Sequence, residues 1–149
     1  MSTAIKLQKI IDEYLPALYK INEDLFSYKS VPNKWSKKEI IGHLIDSAES
    51  NIRRCVVAQH EDNPKILYNQ DKWVSICNYQ QWNSKDVIDL WYLLNKQLCN
   101  ILNNTSEEML QRNCETSETH TIGWLTEDYI KHLLHHLHVV LEMKAVSYP

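Results

Sequence analysis

Leu7, Ile11, Tyr14, Leu18, Ile21 and Leu25 recur at alternating steps of four and three. That spacing lays apolar side chains along one face of a helix. Three more stretches repeat the pattern, while little of the chain alternates polar and apolar residues as a half-buried strand would. Two glycines and four prolines in 149 residues leave few places for sharp turns, which favours long helices over sheets. Pro16 falls inside the first stripe, so a kink or short break is expected there.

The second stripe has the clearest start. Ser36 and Glu39 have the spacing of a capping box, and Trp35 and Ile40 that of a hydrophobic staple. This helix is expected to run to about Gln59, where His60-Glu61-Asp62-Asn63-Pro64 breaks it. A third begins near Ser84 and buries Val87, Leu90, Trp91, Leu94, Leu98, Ile101 and Leu102. A fourth is placed from Thr126, with Glu127 and Asp128 in its first turn, where the helix dipole favours anions. Leu125 and Ile130 again have staple spacing. Together these predict an all-α four-helix bundle forming one domain over residues 1–149.

Two connections, about 60–83 and 104–125, are longer than a helical hairpin needs. The first carries Tyr68, Trp73, Tyr79 and Trp82 and reads as a partly ordered flap over one end of the bundle. A net charge of −3 gives no electrostatic case for nucleic acid or an anionic membrane. The longest apolar run, Leu90 to Leu94, is too short to span a bilayer. The polar-interspersed N-terminus does not read as a signal peptide. Cys55, Cys77, Cys99 and Cys114 stand far apart with no Cys-x-x-Cys, which suits reduced thiols in a cytoplasmic protein.

Seven histidines occur, and a helical wheel sorts those of the fourth helix. Tyr129, Ile130, Leu133, Leu137, Val140 and Leu141 define its buried arc. His136 lies within that arc and His132 at its edge, whereas His135 and His138 fall on the far side with Lys131 and Glu142 and are expected to be solvated. Met143 continues the inward face. Histidines four apart on one helix face can reach one ion. His43, on the flank of the second helix's apolar face beside Ile40 and Ser47, is a candidate third ligand, or else a partly buried, hydrogen-bonded side chain. On spacing alone all three lie in the N-terminal halves of their helices, so they meet only if those helices are suitably staggered or parallel.

The segments Trp35 to Ala48 (Trp-Ser-x-x-Glu-Ile-x-x-His-Leu-x-Asp-Ser-Ala), Tyr68 to Trp73 (Tyr-x-x-Asp-Lys-Trp) and Glu127 to Leu137 (Glu-Asp-Tyr-x-x-His-x-x-His-His-Leu) together resemble the DinB-like (YfiT-like) superfamily of metal-dependent enzymes. The resemblance implies an up-down-down-up bundle whose long connection joins the second and third helices. It also implies a divalent metal, nickel or zinc, held by His43, His132 and His136. The better-understood relatives are thiol S-transferases using bacillithiol or mycothiol, or metal-dependent isomerases, and many others have no established reaction. Relatives often dimerise, so a homodimer is expected here too. The expectation is therefore a hydrolase or thiol S-transferase acting on a small electrophilic molecule, with a low-molecular-weight thiol as a second cofactor. A non-catalytic metal-binding or stress-response bundle is the alternative.

Three neutral imidazoles would leave a divalent ion its full charge, lowering the pKa of a bound water or thiol towards neutrality. Glu39 and Asp46, one turn either side of His43, are the carboxylates available to orient an imidazole or accept a proton. A capping role for Glu39 and simple exposure for Asp46 are the structural alternatives. Tyr68, Trp73 and Trp82 are candidate walls of a substrate pocket, with core packing as the alternative for Trp82.

Overall fold

The computed structural model describes residues 1–148. Four long helices make the bundle: α1 (Thr3–Tyr19), α3 (Lys37–Val57), α5 (Ser84–Asn103) and α7 (Ile122–Val140). Between them lie α2 (Glu23–Ser27), α4 (Gln70–Cys77), α6 (Glu107–Leu110) and the two-stranded hairpin β1 (Asn113–Glu115) and β2 (Thr119–Thr121). α3 packs between α5 and α7, and α1 also packs against both. Leu7, Ile11, Leu44, Trp91, Leu98, Leu133 and Leu137 are fully buried where these faces meet. Each contributes about 1.5–3 kcal/mol relative to an exposed side chain.

Pro16 sits within α1 without ending it. The helix stops at Tyr19, however, so Ile21 and Leu25 lie beyond it. Asn22 caps the separate α2, and Leu25 is exposed. α3 starts where expected: Glu39 N donates to Ser36 Oγ at 3.1 Å and Ser36 N donates to Glu39 Oε2 at 2.8 Å. It ends at Ala58.

α7 begins four residues earlier than Thr126. Thr121 is its cap, accepting from Trp124 N at 3.1 Å, and the Thr126 hydroxyl donates to Gly123 O inside the helix. Glu127 and Asp128 therefore lie in the second turn, where Glu127 accepts from Thr3 and pairs with Lys6. Met143 lies past the helix end and is exposed rather than in the core.

Two features were not foreseen. Residues 104–121 hold α6 and the hairpin, paired through Cys114 and His120. The hairpin is tied to the α3–α5 connection by Ile66 N to Glu115 O and Glu115 N to Pro64 O, both 2.9 Å. In that same connection Tyr79, in a 3-10 turn (Tyr79–Gln81), presses on Gly42 of α3. A Cβ at position 42 would lie 2.1 Å from the Tyr79 ring, so only glycine admits this approach.

Candidate metal centre

α3 and α7 run antiparallel. Lys37 Nζ donates to Val140 O at 2.5 Å, while ten residues further along α3 Ser47 Oγ stands 3.5 Å from His132 Nδ1. This orientation, with α7 starting at Ile122, removes the difficulty over helix halves. His132 and His136 lie past the middle of α7, opposite His43 near the start of α3.

The three side chains converge. His43 Nε2 and His132 Nε2 are 3.0 Å apart, and one ligand nitrogen from each of His43, His132 and His136 lies within 4.8 Å of the others. The rings meet edge to face: His43 and His136 have centroids 5.0 Å apart, and His132 and His136 have centroids 4.6 Å apart. Far from the flank, His43 is 1% exposed, with the Trp35 ring 5.1 Å from its own.

Burial holds all three histidines neutral. Desolvation, with neighbouring imidazoles adding to it, lowers His43 to about 4, His132 to about 3 and His136 to about 4. Two neutral imidazoles facing each other at 3.0 Å can share only one proton, and His43 Nδ1 is buried with no partner. The donor set fits a divalent cation: two nitrogens each about 2.0–2.1 Å from one ion span roughly 3 Å at a right angle.

The other two histidines of α7 behave differently. His135 Nδ1 donates to Val146 O and His138 Nδ1 donates to Lys144 O, both at 2.7 Å. His138 Nε2 is then left to accept from the Tyr14 hydroxyl at 2.8 Å. Neither is a solvated side chain as expected from the wheel; the segment after α7 folds back and covers them. It includes Tyr148, whose hydroxyl donates to Asp128 Oδ2 at 2.9 Å and whose ring lies 5.3 Å from that of His132.

The candidate carboxylates part company. Both Glu39 oxygens are engaged, by Ser36 N and Lys29 Nζ. Asp46 is not exposed at all: it is completely buried, accepts from the Tyr79 hydroxyl at 2.5 Å, and its Oδ2 has no partner. Burial pushes it up to about 6, although the Tyr79 hydrogen bond opposes this.

A cavity of about 860 Å3 opens on His132 and His136. Tyr68 lines it; Trp73 stands behind, its ring 6.0 Å from Tyr68 and edge-on. Trp82 lies elsewhere, packed on Tyr79 and donating from Nε1 to Cys77 O. Reading the sequence missed Arg54, Tyr148, and Trp124 stacked on His120 at 3.6 Å, all lining this cavity. Arg54 was within reach, since it continues the α3 stripe of His43 and Ser47.

The DinB superfamily model matches residues 6–140. The chain belongs to the DinB superfamily. Among solved structures it is similar to YfiT from Bacillus subtilis, described as a probable metal-dependent hydrolase with an unusual four-helix bundle topology. The match has a TM-score of 0.78 at 18% identity, covers 93% of this chain and 84% of that one, and establishes a shared fold. No curated protein matches. Among the described residues no helix is long and apolar enough to cross a membrane, and all four cysteines are free thiols.

Proposed function

We propose that this chain is a metal-dependent enzyme, of hydrolase or thiol S-transferase type, acting on a small electrophile. The observation that carries the reading is the convergence of His43, His132 and His136, neutral and mutually facing, at a cavity large enough for a small molecule. Nickel or zinc suits imidazole ligands. When bound, such an ion supplies Lewis acidity and eases proton loss from a water or thiol nucleophile.

The chain's own residues do the rest. His43, His132 and His136 hold the ion, and Ser47 orients His132 through Nδ1. Asp46 is a positioning residue. It holds the Tyr79 hydroxyl beside Gly42, one residue from His43, while its Oδ2 and His43 Nδ1 are each buried without a partner and are not bonded to one another. Glu39 serves the helix start. Tyr68 and Tyr148 wall the cavity against water, with Trp73 buttressing Tyr68. The same reading gives the bundle an up-down-down-up order. It is supported by Thr3–Glu127 and Tyr14–His138, which run in step along α1 and α7, and by Lys38–Trp82 and Gln59–Thr105, which run in step from α3 towards α5.

The test is a screen of the metal-loaded protein against esters, amides and epoxides, with water alone and with added low-molecular-weight thiols. Turnover that disappears in His132→Ala and on chelation, and returns with metal, is expected. Turnover equal in the metal-free protein would overturn the reading, and metal binding with no turnover would leave a non-catalytic bundle.

A further inference from the structure

Arg54 stands at the far end of the cavity as a cation without a counter-ion. It lines the same space as His132 and His136. Among the described residues it forms no ion pair. Cys114, Tyr68 and Cys55 lie near it, and Asp128, the carboxylate that acts on it, does not pair with it. Desolvating a guanidinium costs several kcal/mol unless an anion offsets it.

What the guanidinium does make is telling. Nε and one Nη2 hydrogen both point to Ile66 O, at 3.3 and 3.2 Å. This uses one edge of the group and fixes its plane. The remaining Nη1 and Nη2 hydrogens form the terminal edge, the fork that binds a carboxylate through two parallel hydrogen bonds.

The helix repeat places Arg54 on the histidine face of α3. His43, Ser47 and Arg54 are spaced by four and seven residues and fall within about 40° on one face of α3. Ser47 and Arg54 are separated by about 10 Å of helix rise, and long helical side chains lean back towards the N-terminus, here towards the histidines. The rings of Tyr68, Tyr148 and Trp124 line the same cavity among polar residues such as Asn51 and Gln70, and offer faces on which an apolar body can pack.

We propose that Arg54 is the binding anchor for the carboxylate of the substrate, an organic monoanion with an apolar body whose electrophilic centre reaches the His43, His132 and His136 cluster. The inference rests on the catalytic reading above for where the reaction occurs, but not for the binding of the anion. A doubly charged phosphate is disfavoured, because Asp128 and Glu118 line the same cavity.

Calorimetry on the full-length, metal-loaded protein with 4-phenylbutyrate and the neutral 4-phenylbutanol tests this. The carboxylate should bind about tenfold more tightly than the alcohol, as a charge-assisted pair warrants. Arg54→Gln should reduce that preference to about twofold or less, and His132→Ala should keep it. In the wild-type protein the Arg54 Nε–H resonance should move with the carboxylate and not with the alcohol, a readout that survives if Arg54→Gln does not fold. Equal affinities in the wild type, or a preference undiminished in Arg54→Gln, would make Arg54 only a staple for Ile66. A preference lost in His132→Ala would place the anion on the histidine site instead. A preference intact in a protein without turnover would uphold the anchor while the catalytic reading fell.

Discussion

The two faces of α7 carry two pairs of histidines, one spaced by four residues and one by three, with different hydrogen-bond partners. His135 and His138 each donate Nδ1 to a backbone carbonyl of the returning segment, Val146 O and Lys144 O. Their hydrogen-bonding capacity goes into structure. His132 and His136 face another imidazole, His43, across a desolvated space, where hydrogen bonding among themselves cannot satisfy every nitrogen. Counting histidines or noting their spacing does not separate the pairs. The partner of each ring nitrogen does: a carbonyl uses a histidine as a donor, whereas a cluster of neutral imidazoles offers lone pairs.

The sharpest break between the faces is in metal affinity. Alanine at His43, His132 or His136 should weaken binding of nickel or zinc by at least about 100-fold, the scale of losing a direct ligand. His135→Ala and His138→Ala should stay within about threefold of wild type. Competition against a chromophoric chelator measures both, and similar losses on the two faces would erase the distinction.

The next effect concerns what sets His43 in place. Gly42→Ala drives a methyl into the Tyr79 ring and should cost about 2–3 kcal/mol of stability. Denaturant titration would show it. Gly42→Ala combined with Tyr79→Ala should cost less than the sum of the two single changes, because the clash needs both the methyl and the ring.

Acid should act on the inner face. An unfolded histidine titrates near 6.5, while His43, His132 and His136 are held at about 4, about 3 and about 4. Between those values the unfolded chain binds more protons, so the metal-free protein loses stability as pH falls from about 6.5 towards 4. Asp46, raised to about 6, works the other way, its contribution fading as pH rises through that value. Three histidines outweigh one aspartate, and the urea midpoint should drop from pH 7 to pH 5. A midpoint that rose over that interval would mean that the imidazoles are not desolvated.

The smallest effect belongs to the outer face. His138→Ala removes one bond to Lys144 O and one from Tyr14, and should lower stability by about 1 kcal/mol. Heating followed by circular dichroism would detect it.

Much of this was legible beforehand, for identifiable reasons. A wheel depends on angle, not on where a helix starts, so the inward pair on α7 could be picked out although the helix begins at Ile122 instead of Thr126. The start was misplaced because Thr126-Glu127-Asp128 imitates a cap, while the true cap, Thr121, is followed by Gly123, a poor helix former. The hairpin of three-residue strands is too short to show alternation. The placement of His135 and His138 depends on a segment returning after a left-handed residue, Glu142, with φ 56°, and nothing local announces that. For Asp46 the sequence leaves both a role beside His43 and simple exposure open, because its burial comes from Tyr79, thirty-three residues away and admitted only by Gly42.

The central claim is that His43, His132 and His136 form one metal site. Its most direct test is the metal content of untagged protein by mass spectrometry, with wild type, His132→Ala and His135→Ala prepared side by side. One divalent ion per chain is predicted for wild type and His135→Ala, and almost none for His132→Ala. Equal metal in wild type and His132→Ala, or loss confined to His135→Ala, would contradict it.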